Sequence, residues 1–261
     1  MTKNNSNLVF GVNPVLEKLK ASSGDVLEIL LTEISERSAL RLVREEAQRL
    51  GVRLVSVTPK FLDRLVAGYR HQGVVARVKA YSYLSFAEMI EKVAAPALSE
   101  RILILDGLTD PRNFGALLRT ADGSGVRYVV IPKDRSVDVT PVAVKASAGA
   151  THHINIVKVT NLRRAIIDLK EQGYWIVGLD SKSRETIYGR TFPPRLAILI
   201  GSEGAGVRPI NLRECDLTVS IPMLGKVSSL NVSVAGAVFL YELVRQNCEI
   251  DADSRRKLEG N

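Results

Sequence analysis

Cysteine and aromatic residues are scarce in this chain. Its two cysteines, Cys215 and Cys248, stand far apart without ligand spacing. That pattern suggests neither a disulfide framework nor a zinc site, and it fits a reducing compartment such as the cytoplasm. Aromatic residues make up 5% of the chain, too few to advertise broad stacking platforms for single-stranded nucleic acid. No apolar run approaches the ~18 residues of a membrane span. The stretch from Met1 to Asn7 also lacks the apolar region of a secretion signal, so no membrane partner is expected. Internal repeats and low-complexity tracts are absent too. What the chain does have is a hydrophobic fraction of 46% over 261 residues, enough for a real core in one large domain or two smaller ones. Its net charge of +8 favours a polyanionic partner.

Residues 1–80 alternate strand and helix patterns. Leu8 to Phe10, Val26 to Leu31, Val52 to Val57 and Val74 to Ala80 read as strands. Helices are predicted from Asn13-Pro14 to Lys20, from Ser35 to Leu50 and from Pro59 to Val66. This segment predicts a small α/β unit with 13 Lys/Arg against 8 Asp/Glu. Residues 81–99 read as a linker in which Ser85 and Glu88 match a capping box and Pro96 ends a helix. Residues 100–247 predict a longer alternation, with strands at Ile102 to Leu105, Val126 to Ile131, Ile154 to Val157, Trp175 to Leu179, Leu196 to Ile200 and Leu217 to Ile221. Continuous apolar strands of this kind belong to parallel sheets covered on both faces, so the segment predicts a doubly wound α/β domain. Ligands of such sheets bind beyond the carboxyl ends of the strands. Residues 248–261 read as a flexible tail.

Three strand ends carry unusual polar sets. In Asp106-Gly-Leu-Thr-Asp-Pro-Arg-Asn-Phe-Gly-Ala-Leu-Leu-Arg119 two readings stand. Asn113 is a helix N-cap and Arg119 a solvated helix residue, or Arg119 faces a phosphate. Six residues at 100° each do not place Arg119 beneath Asn113, so helical spacing does not by itself join them. The second set, Ile200-Gly-Ser-Glu-Gly-Ala-Gly206, has three glycines after an apolar strand, a pattern that permits close backbone approach to a ligand. Its order is not the dinucleotide fingerprint G-x-G-x-x-G, and no Lys-Ser/Thr pair makes it a P-loop. The third set is Ile221-Pro-Met-Leu-Gly-Lys-Val-Ser-Ser-Leu-Asn231, followed by a helix with almost no charge until Glu242. A helix apolar nearly all round is predicted to be buried, which leaves Ser228, Ser229 and Asn231 between buried elements and in need of partners. His152 and His153 are adjacent and on a strand would face opposite ways, so no joint metal site is expected. His71 lies in the basic amino-terminal segment, where it is either packed or in contact with a polyanion.

Taken together, Asn113 and Arg119, Gly201-Ser-Glu203-Gly, and Ile221-Pro through Ser229-Leu-Asn231 resemble the three motifs of the SpoU (TrmH) family of RNA ribose 2′-O-methyltransferases. The match covers about residues 101–246. The amino-terminal unit, with His71-Gln72-Gly73-Val74, is similar to the RNA-binding extension of the bacterial members that act on guanosine in 23S ribosomal RNA. The resemblance implies a deep trefoil knot, S-adenosylmethionine as cofactor, no metal, 23S ribosomal RNA as substrate and a homodimer. It places the cofactor against backbone groups of Gly201, Ile221 and Leu230. It assigns Asn113, Arg119, Glu203, Ser229 and Asn231 to catalysis: family proposals make Arg119 the base, whereas its high pKa suits it better to clamping the adjacent phosphate. Transfer RNA as substrate, or a non-catalytic RNA-binding or ribosome-assembly role, are the readings that compete.

Overall fold

The computed structural model describes residues 8–32, 38–79, 81–93 and 100–259. Two compact units can be recognised. The first takes the described residues up to Ser82 together with Pro111–Arg119 and Asp138–His153, and the second takes Tyr83–Asp110, Thr120–Val137 and the residues from Ile154 onward. This grouping differs from a division at 80 and 100, because two short segments of the later sequence group with the amino-terminal one.

In the first unit, β1 (Leu8–Phe10), α1 (Val12–Ser22), β2 (Val26–Thr32), α2 (Ser38–Arg49), β3 (Leu54–Val57), α3 (Pro59–Leu65) and β4 (Val74–Val78) follow in order. The four strands form one mixed sheet, ordered β1-β4-β2-β3. β4 runs antiparallel to both neighbours and β2 parallel to β3. Leu8, Phe10, Leu30, Leu62, Val66 and Val75 make its core. Helix α2 carries buried Leu40, Val43 and Ala47 at three- and four-residue steps, which is why this stretch folds as an amphipathic helix. The expected start of that helix at Ser35 lies outside the described residues, as does Pro96.

The second unit contains α4 (Phe86–Val93), β5 (Glu100–Asp106), β6 (Tyr128–Pro132), β7 (Asn155–Val159), α7 (Leu162–Glu171), β8 (Trp175–Leu179), β9 (Arg195–Gly201), α8 (Pro209–Leu212), β10 (Leu217–Val219) and α9 (Val232–Glu259). α5 (Pro111–Gly123) links β5 to β6, and α6 (Pro141–Ala146) belongs to the first unit. The predicted capping box holds: Glu88 N–H donates to Ser85 Oγ at 3.2 Å, and Ser85 N–H to Glu88 Oε2 at 2.9 Å. The six strands are all parallel, in the order β10-β8-β9-β5-β6-β7. From β5 the chain first builds outward through β6 and β7, then returns to the other side for β8, β9 and β10. The order therefore reverses between β5 and β9, and a sheet of this kind opens a binding crevice there, beyond the carboxyl ends.

Three expectations need correction. Asn113 is not an N-cap: α5 begins at Pro111, because proline's fixed φ and missing N–H suit the first helical position. Asn113 lies inside the first turn. The predicted loose tail from 248 is instead helix, since α9 runs unbroken to Glu259, and 260–261 lie outside the described residues. Nor is α9 buried all round within one chain. Phe239, Leu240 and Leu243 are buried, but Val234 is 46% and Tyr241 53% exposed.

Candidate active site

The site that the topology selects begins at the paired carboxyl ends of β5 and β9, where Asp106 lies directly opposite Gly201. Beyond Gly201 the chain makes a tight turn: Ser202 N–H donates to the Gly206 carbonyl at 3.2 Å and Gly206 N–H to the Ser202 carbonyl at 2.9 Å. The turn folds so far back that a Cβ on residue 201 would stand 1.9 Å from the Gly206 carbonyl carbon and 2.1 Å from Val207 N. Only glycine fits there, which gives the residue type its reason. Glu203 stands exposed at the tip of this turn.

The segment after β10 reaches the same turn. Asn231 immediately precedes α9, and its Oδ1 accepts from Ser233 N–H at 2.9 Å and from the Ser233 hydroxyl at 2.6 Å. That is an N-cap, so the residue at which the loop ends also starts the helix. Its Nδ2 donates to Glu203 Oε1 at 2.5 Å. One asparagine therefore fixes a helix start and holds the carboxylate of a separate loop, 28 residues away in sequence. Between them, Ile221 to Leu230 form an open loop in which Leu224 is fully exposed and Val227 is 65% exposed. Among the described residues, no backbone hydrogen bond is made by Ile221 through Leu230. Backbone groups left unused by the fold suit a ligand gripped through backbone hydrogen bonds. Ile221 and Leu230 are half-buried at the two ends of this loop. Their backbone groups and that of Gly201 fit a hydrogen-bonding cofactor such as a nucleoside derivative.

The predicted residues are thus distributed as follows. Glu203 and Asn231 are brought together. Ser229 is exposed in the open loop and makes no hydrogen bond among the described residues. Asn113 is half-buried and Arg119 exposed on α5, in the nine helical residues that group with the first unit. The Arg119 side chain makes no hydrogen bond or ion pair among the described residues, which leaves its guanidinium available to a ligand. α5 itself can lie close to its neighbours because Gly115 faces the Ala143 carbonyl, where a Cβ would be too close.

His71 and His152 have structural roles. His71 Nδ1 accepts from Gly73 N–H at 3.0 Å, so the ring proton sits on Nε2, which lies 3.1 Å from Asp63 Oδ1. The ring locks the loop before β4. His152 closes a short 3₁₀ turn, Ala150–His152, rather than lying on a strand. Its pKa is pushed down to about 4, first by burial and then by the charges of Lys18 and His153. Among the described residues no cluster of His, Cys, Asp or Glu could hold a metal ion.

Sequence reasoning missed one group. Asp106 has a fully buried carboxylate that is met by Arg208 and Asn211. The available signal was an acidic residue ending an otherwise apolar strand, which demands a buried partner.

Comparison with known proteins adds the family. Residues 100–241 match the SpoU rRNA Methylase family, and residues 8–84 match the RNA 2′-O ribose methyltransferase substrate-binding family. The chain is 41% identical over 240 residues to the 23S rRNA (guanosine-2′-O-)-methyltransferase RlmB of Shewanella oneidensis, covering 92% of this chain and 97% of that one. It is 39% identical over 242 residues to the RlmB of Haemophilus influenzae, covering 92% and 98%. Among solved structures, the SpoU methyltransferase AviRb from Streptomyces viridochromogenes, in complex with the cofactor AdoMet, aligns with a TM-score of 0.76 at 26% identity. That alignment covers 92% of this chain and 90% of that one.

Proposed function

This chain belongs to the SpoU rRNA methylase family, and we propose from that premise that it transfers a methyl group from S-adenosylmethionine to a ribose 2′-hydroxyl, on a guanosine of 23S ribosomal RNA. The geometric observation that carries the reading is the bond from Asn231 to Glu203 beside the Gly201 turn, at the reversal point of the parallel sheet. The bound cofactor would supply a methyl group on a positively charged sulfur. The chain's own residues must then hold the ribose in line with that methyl and ease the proton from its oxygen. Alignment of this sort can supply much of the rate.

In this reading Gly201, Ile221 and Leu230 hold the cofactor through backbone groups. Arg119 clamps the phosphate next to the target ribose, and its charge lowers the pKa of the hydroxyl. An ordinary guanidinium, with a pKa above ~12, accepts protons poorly, so the proton leaves by water or phosphate. Asn113 orients Arg119 or the ribose, while Glu203, Ser229 and Asn231 complete the polar cage. The first unit binds the RNA, in keeping with the substrate-binding family it matches. The open stripe of Val234 and Tyr241 on α9 supports a homodimer built on that helix, an apolar face that a second copy would cover. The knotted carboxyl-terminal passage and a cytoplasmic location belong to the same proposal, and no described helix is long and apolar enough to cross a membrane.

The test is methyl transfer from labelled S-adenosylmethionine into unmethylated 23S RNA, with transfer RNA alongside, followed by mapping of alkali-resistant linkages. A single resistant guanosine in 23S RNA, absent with Arg119→Ala, is the expected result. Incorporation into transfer RNA alone would overturn the substrate, and absence of cofactor binding would overturn the reaction.

A further inference from the structure

At the end of β5 a carboxyl group is placed where water does not reach. The Asp106 side chain is 0% exposed, at the tip of a strand whose other residues are buried as well. A lone buried carboxylate is costly, and this one is met by four donors. Its Oδ1 accepts from Arg208 Nε at 2.6 Å and lies 2.6 Å from Arg208 Nη2. Its Oδ2 accepts from the Arg208 backbone N–H at 2.9 Å and from Asn211 Nδ2 at 2.8 Å. Every one of these donors comes from the few residues that follow the Gly201–Val207 turn.

The other end of that turn is fixed by the same residue. Asp106 pairs with Gly201 in the β5–β9 ladder, so its backbone neighbours the entry to the turn while its carboxylate holds the exit. Between these two points the turn carries the Ser202–Gly206 pair and an Ala205 N–H bond to the Glu203 carbonyl at 2.9 Å. Arg208 is not filling a core, since its side chain is 50% exposed. Its guanidinium bends inward to reach Asp106, and its own N–H points the same way.

We infer that Asp106, through Arg208 and Asn211, is the positioning residue that sets the shape of the Gly201–Val207 turn, and with it the placement of the Gly201 backbone and Glu203 toward the cofactor. Asp106 touches neither substrate nor cofactor in this role. The link to S-adenosylmethionine rests on the function proposed above, whereas the clamp on the turn does not. A purely stabilising ion pair would, when broken, lower the melting temperature and leave ligand affinities in the folded protein alone. A clamp on the turn lowers affinity for the cofactor selectively.

The experiment uses Asp106→Asn, which keeps the shape but removes the charge, and Arg208→Ala, which deletes the guanidinium while the residue-208 backbone N–H and Asn211 Nδ2 still meet the carboxylate. Arg208→Lys keeps the charge without the planar fork. Amide exchange at Ser202 and Gly206 reads the turn with no ligand present. Calorimetry reads S-adenosylmethionine binding, and steady-state kinetics separate KM for the cofactor from KM for RNA. The expected result is faster exchange at Gly206 in the folded variants, with Ile104 in the middle of β5 unchanged. The cofactor dissociation constant should rise about tenfold, the scale on which loss of one charge-assisted contact registers, with KM for RNA unaltered. Arg208→Lys should fall between wild type and Arg208→Ala. Wild-type exchange at Ser202 and Gly206 in folded Arg208→Ala overturns the inference, as does a lower melting temperature with cofactor affinity intact. Failure of the unaltered protein to bind S-adenosylmethionine would sink the proposed function instead, and the exchange measurement would still decide the clamp.

Discussion

Asn231 performs two jobs with two different atoms, so substitutions can separate them. Its Oδ1 caps α9 through Ser233, and its Nδ2 holds Glu203. Asn231→Ala removes both. Loss of an N-cap to alanine costs about 1 kcal/mol. In a protein of this size that lowers the melting temperature by roughly 2–4 °C. Asn231→Ser retains a capping oxygen but has no amide to offer Glu203, so it should melt close to wild type. Asn231→Asp caps equally well but sets a second carboxylate against Glu203. The prediction is a split: Ala loses stability and activity, while Ser and Asp lose activity with stability nearly kept. Thermal melts followed by circular dichroism, paired with methyl incorporation into 23S RNA, read the two axes separately. Wild-type turnover in Asn231→Ser would refute the reasoning, because it would show that the bond to Glu203 has no part in the reaction.

Other outcomes follow from the same geometry. Arg119→Lys should melt like wild type, since Arg119 is exposed, but turn over slowly because an ammonium cannot clamp a phosphate through two parallel bonds; equal turnover would remove the bidentate role. Gly201→Ala places a methyl 1.9 Å from the Gly206 carbon, so the turn must open and the calorimetric signal for S-adenosylmethionine should vanish. Tyr241→Asp puts a charge on the open stripe of α9 and should give a monomer in sedimentation; an unchanged mass would move the dimer contact elsewhere. His152 is held neutral to about pH 4, below its ordinary 6.5, by burial and by Lys18 and His153. Between those values the unfolded chain binds the proton first, so the contribution of neutral His152 is complete above 6.5 and is lost as pH falls toward 4. Melting temperatures of His152→Gln should therefore fall less steeply than wild type over that window, and parallel curves would count against the assignment.

The apolar strands were readable because their residues are self-sufficient: Trp175 to Leu179 gave β8 with the same bounds. β5 was readable only in its middle. Its charged ends look like loop in sequence, yet Glu100 is buried with the Tyr174 hydroxyl at 2.7 Å and Arg127 at 3.0 Å, and Arg101 reaches the Leu243 carbonyl at 2.8 Å. Those partners lie 74, 27 and 142 residues away, beyond any local pattern. The Asp106 clamp was hidden for the same reason. α9 was misjudged for a different one. Its composition records that its surface needs covering but not what covers it, and the chain alone leaves Val234 and Tyr241 open. The pairing of Glu203 with Asn231 was legible only through motif resemblance.

Glu203 therefore depends on two supports of unlike character. Asn231 holds its side chain from the tip, through an exposed contact whose donor is steadied by a local cap. Asp106 holds the base of its turn, through a buried carboxylate with every lone pair engaged across the sheet. An exposed contact can be lost while the surrounding backbone stays put, whereas loss of the buried Asp106 charge leaves the Arg208 backbone N–H and the Asn211 amide without their acceptor, so the backbone moves. The two losses should therefore fail in different ways. Removing the Asn231 amide should leave the Gly201 backbone in place, so the cofactor still binds and catalysis falters. Removing the Asp106 charge should disturb the Gly201 backbone itself, so cofactor affinity falls first. If both substitutions produced the same pattern of affinity and turnover, the turn would be a single flexible loop, and its two ends could not be acting as separate supports.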